Sequence, residues 1–336
     1  MAGVQGHALA AAVCEAGGVG SLPAAMLTLE ALDAELTALR GQTQQPFNVN
    51  FFAHATPASD AAQLTRWHDA LTPYYREWGL DAGQMPTGAG RTPFQAEAAA
   101  VLERHRPAVV SFHFGLPAPE LVARVKRMGA QVWSSATTVE EARWLAQHGV
   151  DAVIAQGLEA GGHRGLFLSD DLTSQMGTLA LVPQIVAAVN LPVIAAGGIG
   201  DAAGVRAAKA LGASAVQMGT AFLCTPEALT SPLHRAALRS AAAQHTALTN
   251  VFTGRPARGI VNRVMRELGP ISNAAPAFPL ATAAIAPLRA AAEAQGSSDF
   301  TPLWSGQHTA AIREDRASVL TQAFMAAWHG QAWHGQ

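Results

Sequence analysis

The chain has 336 residues, of which 49% are hydrophobic and 14% are charged, and its formal net charge is -2. A chain of this length and apolarity can bury a large interior, so its composition excludes an intrinsically disordered protein. No run or stripe of basic residues is present, which argues against nucleic acid and anionic membrane surfaces as partners.

The cysteines and the apolar runs limit the class of protein further. Cys14 and Cys224 are the only cysteines and form no CxxC pair, so we expect neither a zinc site nor a disulfide framework, and no metal site is predicted. The N-terminus lacks the basic and apolar regions of a secretory signal. Because Gly, Pro or charged residues interrupt every apolar run, we expect no membrane span and a cytoplasmic location.

Near the N-terminus, Met1, Ala2 and Gly3 run almost directly into a helical segment, His7–Ala16, which is followed by a glycine-rich stretch, 17–20. This leaves no room for a full strand before the helix. If the chain forms a barrel, its first strand is therefore predicted to be shortened or missing.

Between residues 46 and 226, short apolar runs alternate with longer alanine-rich segments of helical period. The predicted strands are Phe47–Phe52, Val109–His113, Gln131–Ser134, Ala152–Ala155, Val193–Ala196 and Ala215–Met218. The predicted helices are Ser59–Trp78, Pro93–Arg104, Pro117–Arg127, Val139–His148, Gly177–Val189 and Ala202–Leu211. Several strands are continuously apolar, as in a parallel sheet covered on both faces.

This repetition predicts an α/β fold with right-handed crossovers, either a (β/α)8 TIM barrel or an open doubly wound sheet. The barrel is favoured because the unit recurs at least six times, because the candidate site residues follow several different strands, and because no GxGxxG motif follows a first strand. The predicted divisions are a barrel at 1–227, a helical or lid insertion at 228–303 with a helix-like stretch at Gly259–Leu268, and a C-terminal segment at 304–336 that completes the barrel with a helix at Ala310–Trp328.

The segment QGLEAGGHRG at 156–165 comes directly after a predicted strand. Its glycines allow the backbone to approach a flat or anionic ligand closely, and His163 has a side chain suited to proton transfer near neutral pH. A surface-loop histidine between turn-forming glycines is the alternative. We favour a functional histidine because the loop ends a strand of the βα series.

Two later segments, PVIAAGGIGD at 192–201 and AVQMGTAF at 215–222, each lead from a strand through glycine to the start of a helix, with Asp201 as a predicted N-cap. Such turns bind phosphate in many barrels after the seventh and eighth strands, although glycines also end strands for purely structural reasons. Two in succession favour a phosphate-bearing cofactor.

The strand Phe47–Phe52 places Asn48 and Asn50 on one face. Their amides need partners, which either a flavin edge or the neighbouring backbone can provide. His54 and His113 also follow or end apolar strands, where a structural histidine is the commoner outcome. Glu159 is predicted either to pair with Arg164 across the loop or to be solvated.

These motifs, together with AAAVCEAGGVGSLP at 10–23, PFNVN at 46–50 and LWSGQ at 303–307, resemble the nitronate monooxygenase family, formerly called 2-nitropropane dioxygenases. The resemblance covers most of the chain. It implies an FMN bound non-covalently at the barrel mouth, with Gly198 and the run from Gln217 to Thr220 at its phosphate, and His163 as the catalytic histidine. The implied FMN contacts are Asn50, Gln156, Gly161, Gly162, Gly198, Gln217, Met218, Gly219 and Thr220.

The activity implied by the resemblance is oxidation of an alkyl nitronate, such as propionate 3-nitronate, by dioxygen to a carbonyl compound and nitrite. A flavin-dependent NAD(P)H:quinone or enoyl-ACP reductase on the same scaffold is the alternative within flavoenzymes, and a flavin-binding protein without turnover is the alternative outside them. Family members usually begin with a strand ending in Pro-Met-Ala-Gly, of which Met1, Ala2 and Gly3 resemble the end. We also expect a homodimer.

Overall fold

The computed structural model describes residues 1, 3–58, 60–88 and 90–331. Three predictions fall in part on other residues: the N-terminal segment at Ala2, the helix start at Ser59, and residues 332–336 of the predicted C-terminal segment all lie outside the described residues.

The strands are short and mostly buried, as expected for a sheet that lies beneath surrounding helices. They are β1 (Gly20–Pro23), β2 (Phe47–Phe52), β3 (Val109–His113), β4 (Gln131–Ala136), β5 (Ala152–Gln156), β6 (Gly162–His163), β7 (Val193–Ala196), β8 (Ala215–Gln217), β9 (Thr246–Thr249) and β10 (Ala257–Ile260).

Seven of these strands form one parallel sheet in the order β1-β2-β3-β4-β5-β7-β8. Consecutive strands are adjacent throughout, which is the strand order of a TIM barrel and not of a doubly wound sheet. The predicted (β/α)8 class is therefore confirmed, with a curled parallel sheet of seven strands among the described residues.

The edge of β1 is where the first strand of a complete barrel would pair. Among the described residues the first element is the helix at His7–Glu15, and no strand precedes it. The segment before that helix packs at this edge instead. The Gln5 side chain donates to the carbonyl oxygen of Ser21 in β1, and Met1 lies next to Gly219 beyond the end of β8.

The α-helices alternate with the parallel strands and then continue into the C-terminal part of the chain. They are α1 (His7–Glu15), α2 (Leu29–Gln42), α3 (Ala61–Glu77), α4 (Ala96–His105), α5 (Pro119–Arg127), α6 (Val139–Gln147), α7 (Thr178–Ala188), α8 (Ala202–Ala210), α9 (Pro232–Arg239), α10 (Arg263–Glu267), α11 (Ala281–Ala294) and α12 (Ala317–Trp328). None of the helices in the described ranges is both long and apolar enough to cross a bilayer.

The six predicted strands and the six predicted helices between them are present, with ends shifted by up to three residues. The predicted N-cap is also confirmed, because Asp201 Oδ1 accepts a hydrogen bond of 2.8 Å from the Gly204 amide. Two predictions nearer the C-terminus are wrong in part. The helix-like stretch Gly259–Leu268 begins inside strand β10, and the final helix begins at Ala317 and not at Ala310.

The region 228–303 forms more than helices, because β9 and β10 join β6 in an antiparallel sheet of order β6-β10-β9. Its helix α11 packs against α3 in a separate apolar cluster that contains Trp67, Tyr75 and Leu288. The Tyr75 hydroxyl donates to the Ala284 carbonyl at 2.6 Å. The division at 227 and 303 remains a prediction, with α3 attached to the insertion through this cluster.

Candidate active site

Strand β6 positions His163 at the mouth of the barrel. Gly162 and His163 pair antiparallel with Arg258 and Ala257 of β10. Gly162 has φ +73°, a left-handed conformation that favours glycine, and its Cα faces open space. The insertion therefore fixes the backbone of the glycine loop, and the sequence pattern of the loop alone did not reveal this.

Two side chains hold the carbonyl oxygen of His163 from the barrel side. Gln156 Nε2, at the end of β5, donates to it at 2.9 Å, and His113 Nε2, at the end of β3, lies 3.0 Å from it. The other end of the Gln156 amide accepts from the Gly165 amide at 2.7 Å. Gln156 thus bridges both sides of the loop and is a structural anchor for it.

Arg164 is fully buried beneath the same loop. It donates to the carbonyl oxygens of Gly157 and Gln156 at 2.6 and 2.8 Å and to Gln175 Oε1. The Glu159 carboxylate instead accepts from the Thr178 amide and hydroxyl at the start of α7. Both predictions for this pair are therefore wrong, because Arg164 satisfies loop carbonyls and Glu159 caps a helix.

The His163 ring lies in an aromatic pocket. Its centroid is 5.4 Å from Phe278, 5.6 Å from Trp304, 5.9 Å from Phe114 and 6.0 Å from Phe52. Burial among these rings is the largest cause that lowers the pKa of His163 well below its usual value, and nearby Arg91 and Arg255 add to it. At neutral pH the imidazole is therefore uncharged.

The only polar side-chain contact of the His163 ring within the described ranges is made by Nε2, which lies 3.0 Å from the Thr253 hydroxyl oxygen. A neutral imidazole has one donor and one acceptor nitrogen, so it can receive a proton or donate a hydrogen bond to a substrate. These are the two abilities that proton transfer from carbon or recognition of an anion requires.

His54 and His113 lie in the same pocket. Burial lowers the pKa of each to about 4, with the charge of Arg255 as a further cause in both. His113 is a positioning residue, because its Nδ1 lies 3.0 Å from the Ser135 hydroxyl while its Nε2 meets the His163 carbonyl. His54 makes no comparable contact within the described ranges.

At the end of β7, the predicted phosphate turn is formed by two glycines in positive φ. Gly197 has φ +114° and Gly198 has φ +69°. A side chain at Gly197 would lie 3.0 Å from the Ala160 amide nitrogen, so the turn approaches the glycine loop closely. The amides of Gly198, Ile199 and Gly219 make no backbone hydrogen bond among the described residues, so they are free to bind an anion.

The segment at 305–307 crosses over the glycine loop at 156–165 and over the turn that follows β8. The Gly306 amide donates to the Thr220 hydroxyl at 2.9 Å, and the Gln307 amide donates to the Glu159 carbonyl at 3.0 Å. A side chain at Gly161 would lie 2.5 Å from the Gly306 nitrogen. Gly161 therefore has a steric reason to be glycine that is independent of any cofactor.

Strand β2 contributes a polar network inside the barrel. Asn48 Nδ2 donates to the hydroxyls of Ser21 and Ser111, and Asn50 Nδ2 donates to Ser111 Oγ at 2.9 Å. The buried oxygen of Asn48 has no partner within the described ranges. The predicted backbone partners account for only part of the bonding of the two amides, because their main partners are serine hydroxyls on β1 and β3.

The predicted site residues separate into four groups. Gln156, Gly161, Gly162 and His163 lie together in the glycine loop, where Gly161 meets the segment at 305–307 beside Thr220. Gly198 faces Glu159, and Asn50 lies on the barrel wall. At the end of β8, Met218 and Gly219 are half-buried, whereas Gln217 is exposed. The pocket residues that sequence reasoning missed are Arg91, Phe114, Thr253, Arg255, Phe278 and Trp304, most of them outside the βα repeats.

Comparison with known proteins connects this geometry to one family. The family model for nitronate monooxygenase matches residues 1–320. The chain is 42% identical to a nitronate monooxygenase of Pseudomonas aeruginosa over 332 residues, which is 98% of this chain and 95% of that protein. It is 41% identical to a nitronate monooxygenase of Paraburkholderia phytofirmans, over 95% of this chain and 88% of that protein.

Solved structures of other proteins are also similar to this chain. The structure of a nitroalkane oxidase from Streptomyces ansochromogenes superposes with a TM-score of 0.89 at 40% identity and covers 98% of this chain and 94% of that chain. FabK from Thermotoga maritima has a TM-score of 0.69 at 26% identity, with 98% and 91% of the two chains covered. The chain belongs to the nitronate monooxygenase family.

Proposed function

We propose that this protein oxidises alkyl nitronates, such as propionate 3-nitronate, with dioxygen to a carbonyl compound and nitrite, and that its flavin is FMN. The observation that carries the proposal is the half-buried, neutral His163 above the carboxyl ends of parallel strands. The names of the related nitronate monooxygenases and of the nitroalkane oxidase support the same reaction class.

The residues at the barrel mouth fit FMN. The free amides of Gly198, Ile199 and Gly219 form a cradle suited to a phosphate, and a side chain at Gly198 would come within 3.4 Å of Glu159. We propose that Gly198 and the run Gln217, Met218, Gly219 and Thr220 hold the phosphate. Asn50, Gln156, Gly161 and Gly162 are proposed to lie along the flavin ring. When bound, the flavin supplies the electron chemistry.

His163 then acts in one of two ways that depend on the substrate. It accepts the proton from the carbon of a neutral nitroalkane at its unprotonated nitrogen, or it donates a hydrogen bond to an oxygen of a nitronate that is already ionised. The surrounding aromatic rings reduce the contact of the imidazole with water and so keep it uncharged.

An anaerobic absorbance titration of the FMN-loaded protein tests the proposal. Propionate 3-nitronate is added first and NADH is added to a second sample. Bleaching of the flavin by the nitronate and not by NADH is the expected result. Bleaching by NADH alone would assign the protein to the NAD(P)H-dependent reductases, and no bleaching by either would assign it to flavin-binding proteins without turnover.

Two further properties remain proposals. We infer a cytoplasmic location, because both cysteines are buried free thiols, as expected in a reducing compartment. We also propose a homodimer, which light scattering of the purified protein measures directly.

A further inference from the structure

Two arginines flank the aromatic pocket that contains His163. The guanidinium carbon of Arg255 lies 4.1 Å from the Phe114 ring centroid, and that of Arg91 lies 5.4 Å from the Phe278 centroid. These two rings are 5.3 Å apart, and both face the His163 ring. Both positive charges therefore lie at the wall of the pocket in which the substrate is proposed to react.

Neither guanidinium is neutralised by the protein. Arg91 NH1 and Arg255 Nε are buried and have no hydrogen-bond partner among the described residues. Neither arginine is within ion-pair distance of a carboxylate in the described part of the chain. Arg255 NH2 donates to the Leu166 carbonyl oxygen, which is a neutral acceptor. Because a half-buried positive charge that no carboxylate compensates is costly, this arrangement indicates a site for an anion.

The carboxylates whose charges act on the pKa of Arg255 are Asp170 and Glu141. Glu141 is already saturated, since its two oxygens accept from the amides of Thr137, Phe167 and Leu168 and from the Thr137 hydroxyl. Asp170 is exposed to solvent. An incoming anion therefore meets no competing carboxylate in contact with Arg255.

His54 provides an independent indication that something polar binds here. Its side chain is only 5% exposed, and neither ring nitrogen makes a hydrogen bond of good geometry within the described ranges, although the Arg91 backbone lies close enough to raise the pKa of the ring. Its ring lies 4.9 Å from Phe278 and 6.3 Å from Phe114, beside the same aromatic pair. The imidazole can donate one hydrogen bond to an anion without adding a charge.

We propose that Arg91 and Arg255, with His54 beside them, bind a carboxylate on the carbon chain of the substrate and so select nitronates that carry a second anionic group. This inference rests on the proposed nitronate oxidation. It assigns the reacting end of the substrate to His163 and the charged end to the two arginines. A guanidinium holds a carboxylate with paired N–H donors, which a nitronate with an alkyl end does not engage.

Two substrates distinguish the effect of the arginines on the charged end of the substrate from any effect on its reacting end. Propionate 3-nitronate and propyl 1-nitronate differ only in a carboxylate in place of a methyl group. We expect Arg91→Met and Arg255→Met to lower kcat/KM for propionate 3-nitronate by about 10- to 100-fold and to change that for propyl 1-nitronate by less than about threefold. Arg91→Lys keeps the charge and should recover part of the loss. Arg143→Met, on the exposed surface of α6, is the matched control and should alter neither.

Binding of succinate, which has the shape of propionate 3-nitronate but does not react, is the second measurement. Calorimetry of the FMN-loaded protein should show binding that both Met variants weaken about tenfold or more. Equal losses for both substrates, unchanged succinate binding, or loss of FMN from Arg91→Met would overturn the proposal. If the unsubstituted protein oxidises neither nitronate, the proposed function fails, while succinate binding still decides whether the anion site exists.

Discussion

The Nε2 atom of His113 lies 3.0 Å from the carbonyl oxygen of His163. The two histidines come from different strands, β3 and β6, and the contact joins the barrel wall to the glycine loop. Because Nδ1 of His113 faces the Ser135 hydroxyl, the ring can donate from Nε2 while it accepts at Nδ1. One neutral tautomer thus satisfies both partners, and it holds the His163 backbone in place.

Replacing His113 by Leu should lower turnover without releasing the flavin. The His163 carbonyl would keep only its bond from Gln156, and a displaced reacting group reduces kcat by about 10- to 100-fold. Steady-state kinetics and the visible absorbance of bound FMN check this. His113→Gln retains a donor and should recover part of kcat. If both variants are equally impaired, the contact with the carbonyl is not what His113 provides.

Replacing His163 by Asn should separate the two proposed roles of its imidazole. Loss of a general base is expected to lower turnover of neutral nitroethane by about 100-fold or more. Ethyl nitronate, which is already ionised, should be affected much less, because Asn still donates a hydrogen bond. FMN absorbance should stay unchanged. Equal losses for both forms, or no loss for nitroethane, would exclude proton abstraction by His163.

The barrel strands could be predicted because their signals are local. Val109–His113 and Val193–Ala196 are short, mainly apolar runs that glycine follows within two residues, and both are strands with the predicted bounds. Strand β1 escaped prediction because Gly20–Pro23 contains Gly, Ser and Pro, which are poor strand formers. Its parallel pairing with β2 overrides that preference.

His163 could be predicted for the same local reason, since glycines surround it at a strand end. The two arginines could not. Arg91 lies in a loop and Arg255 in the insertion, and neither has a motif around it. Their role follows from stacking on Phe278 and Phe114, which depends on packing between distant parts of the chain. The Arg164 prediction failed for a related reason, because the loop carbonyls that bind it come together only in the fold.

The close approach of Gly161 to Gly306 predicts a sensitive position. A methyl group at Gly161 would lie 2.5 Å from the Gly306 nitrogen and 2.6 Å from the Ser305 carbonyl carbon, so the crossing segment must move. Gly161→Ala is expected to lower the free energy of unfolding by about 1–3 kcal/mol and to weaken FMN retention. Urea unfolding and the FMN content of the purified protein measure both effects.

The control for this substitution is Gly41→Ala. Gly41 lies in helix α2, where an added methyl group meets no atom within 4 Å. Alanine is favoured over glycine in a helix by up to about 1 kcal/mol, so this variant should be as stable as the unsubstituted protein or more stable. If Gly161→Ala behaves like Gly41→Ala, the segment at 305–307 is not held tightly against the glycine loop.

The buried histidines predict that the protein loses stability on mild acidification. Burial lowers the pKa of His54, His113 and His234 to about 4 in the folded protein, whereas an unfolded histidine titrates near pH 6.5. Between these values the unfolded chain binds more protons, so the free energy of unfolding falls as the pH drops below 6.5. Each such histidine should cost about 2 kcal/mol at pH 5 relative to pH 8.

His234 allows this effect to be measured at a histidine outside the group formed by His54, His113 and His163, with its ring beside the Trp304 backbone. It lies on α9, is 3% exposed, and has no partner for Nε2 within the described ranges. His234→Gln cannot be protonated, so its urea unfolding curves should lose about 2 kcal/mol less than the unsubstituted protein between pH 8 and pH 5. Above pH 7.5, where the imidazole is neutral in both states, the two proteins should show the same dependence on pH. Parallel losses down to pH 5 would mean that His234 titrates in the folded protein as it does in the unfolded chain.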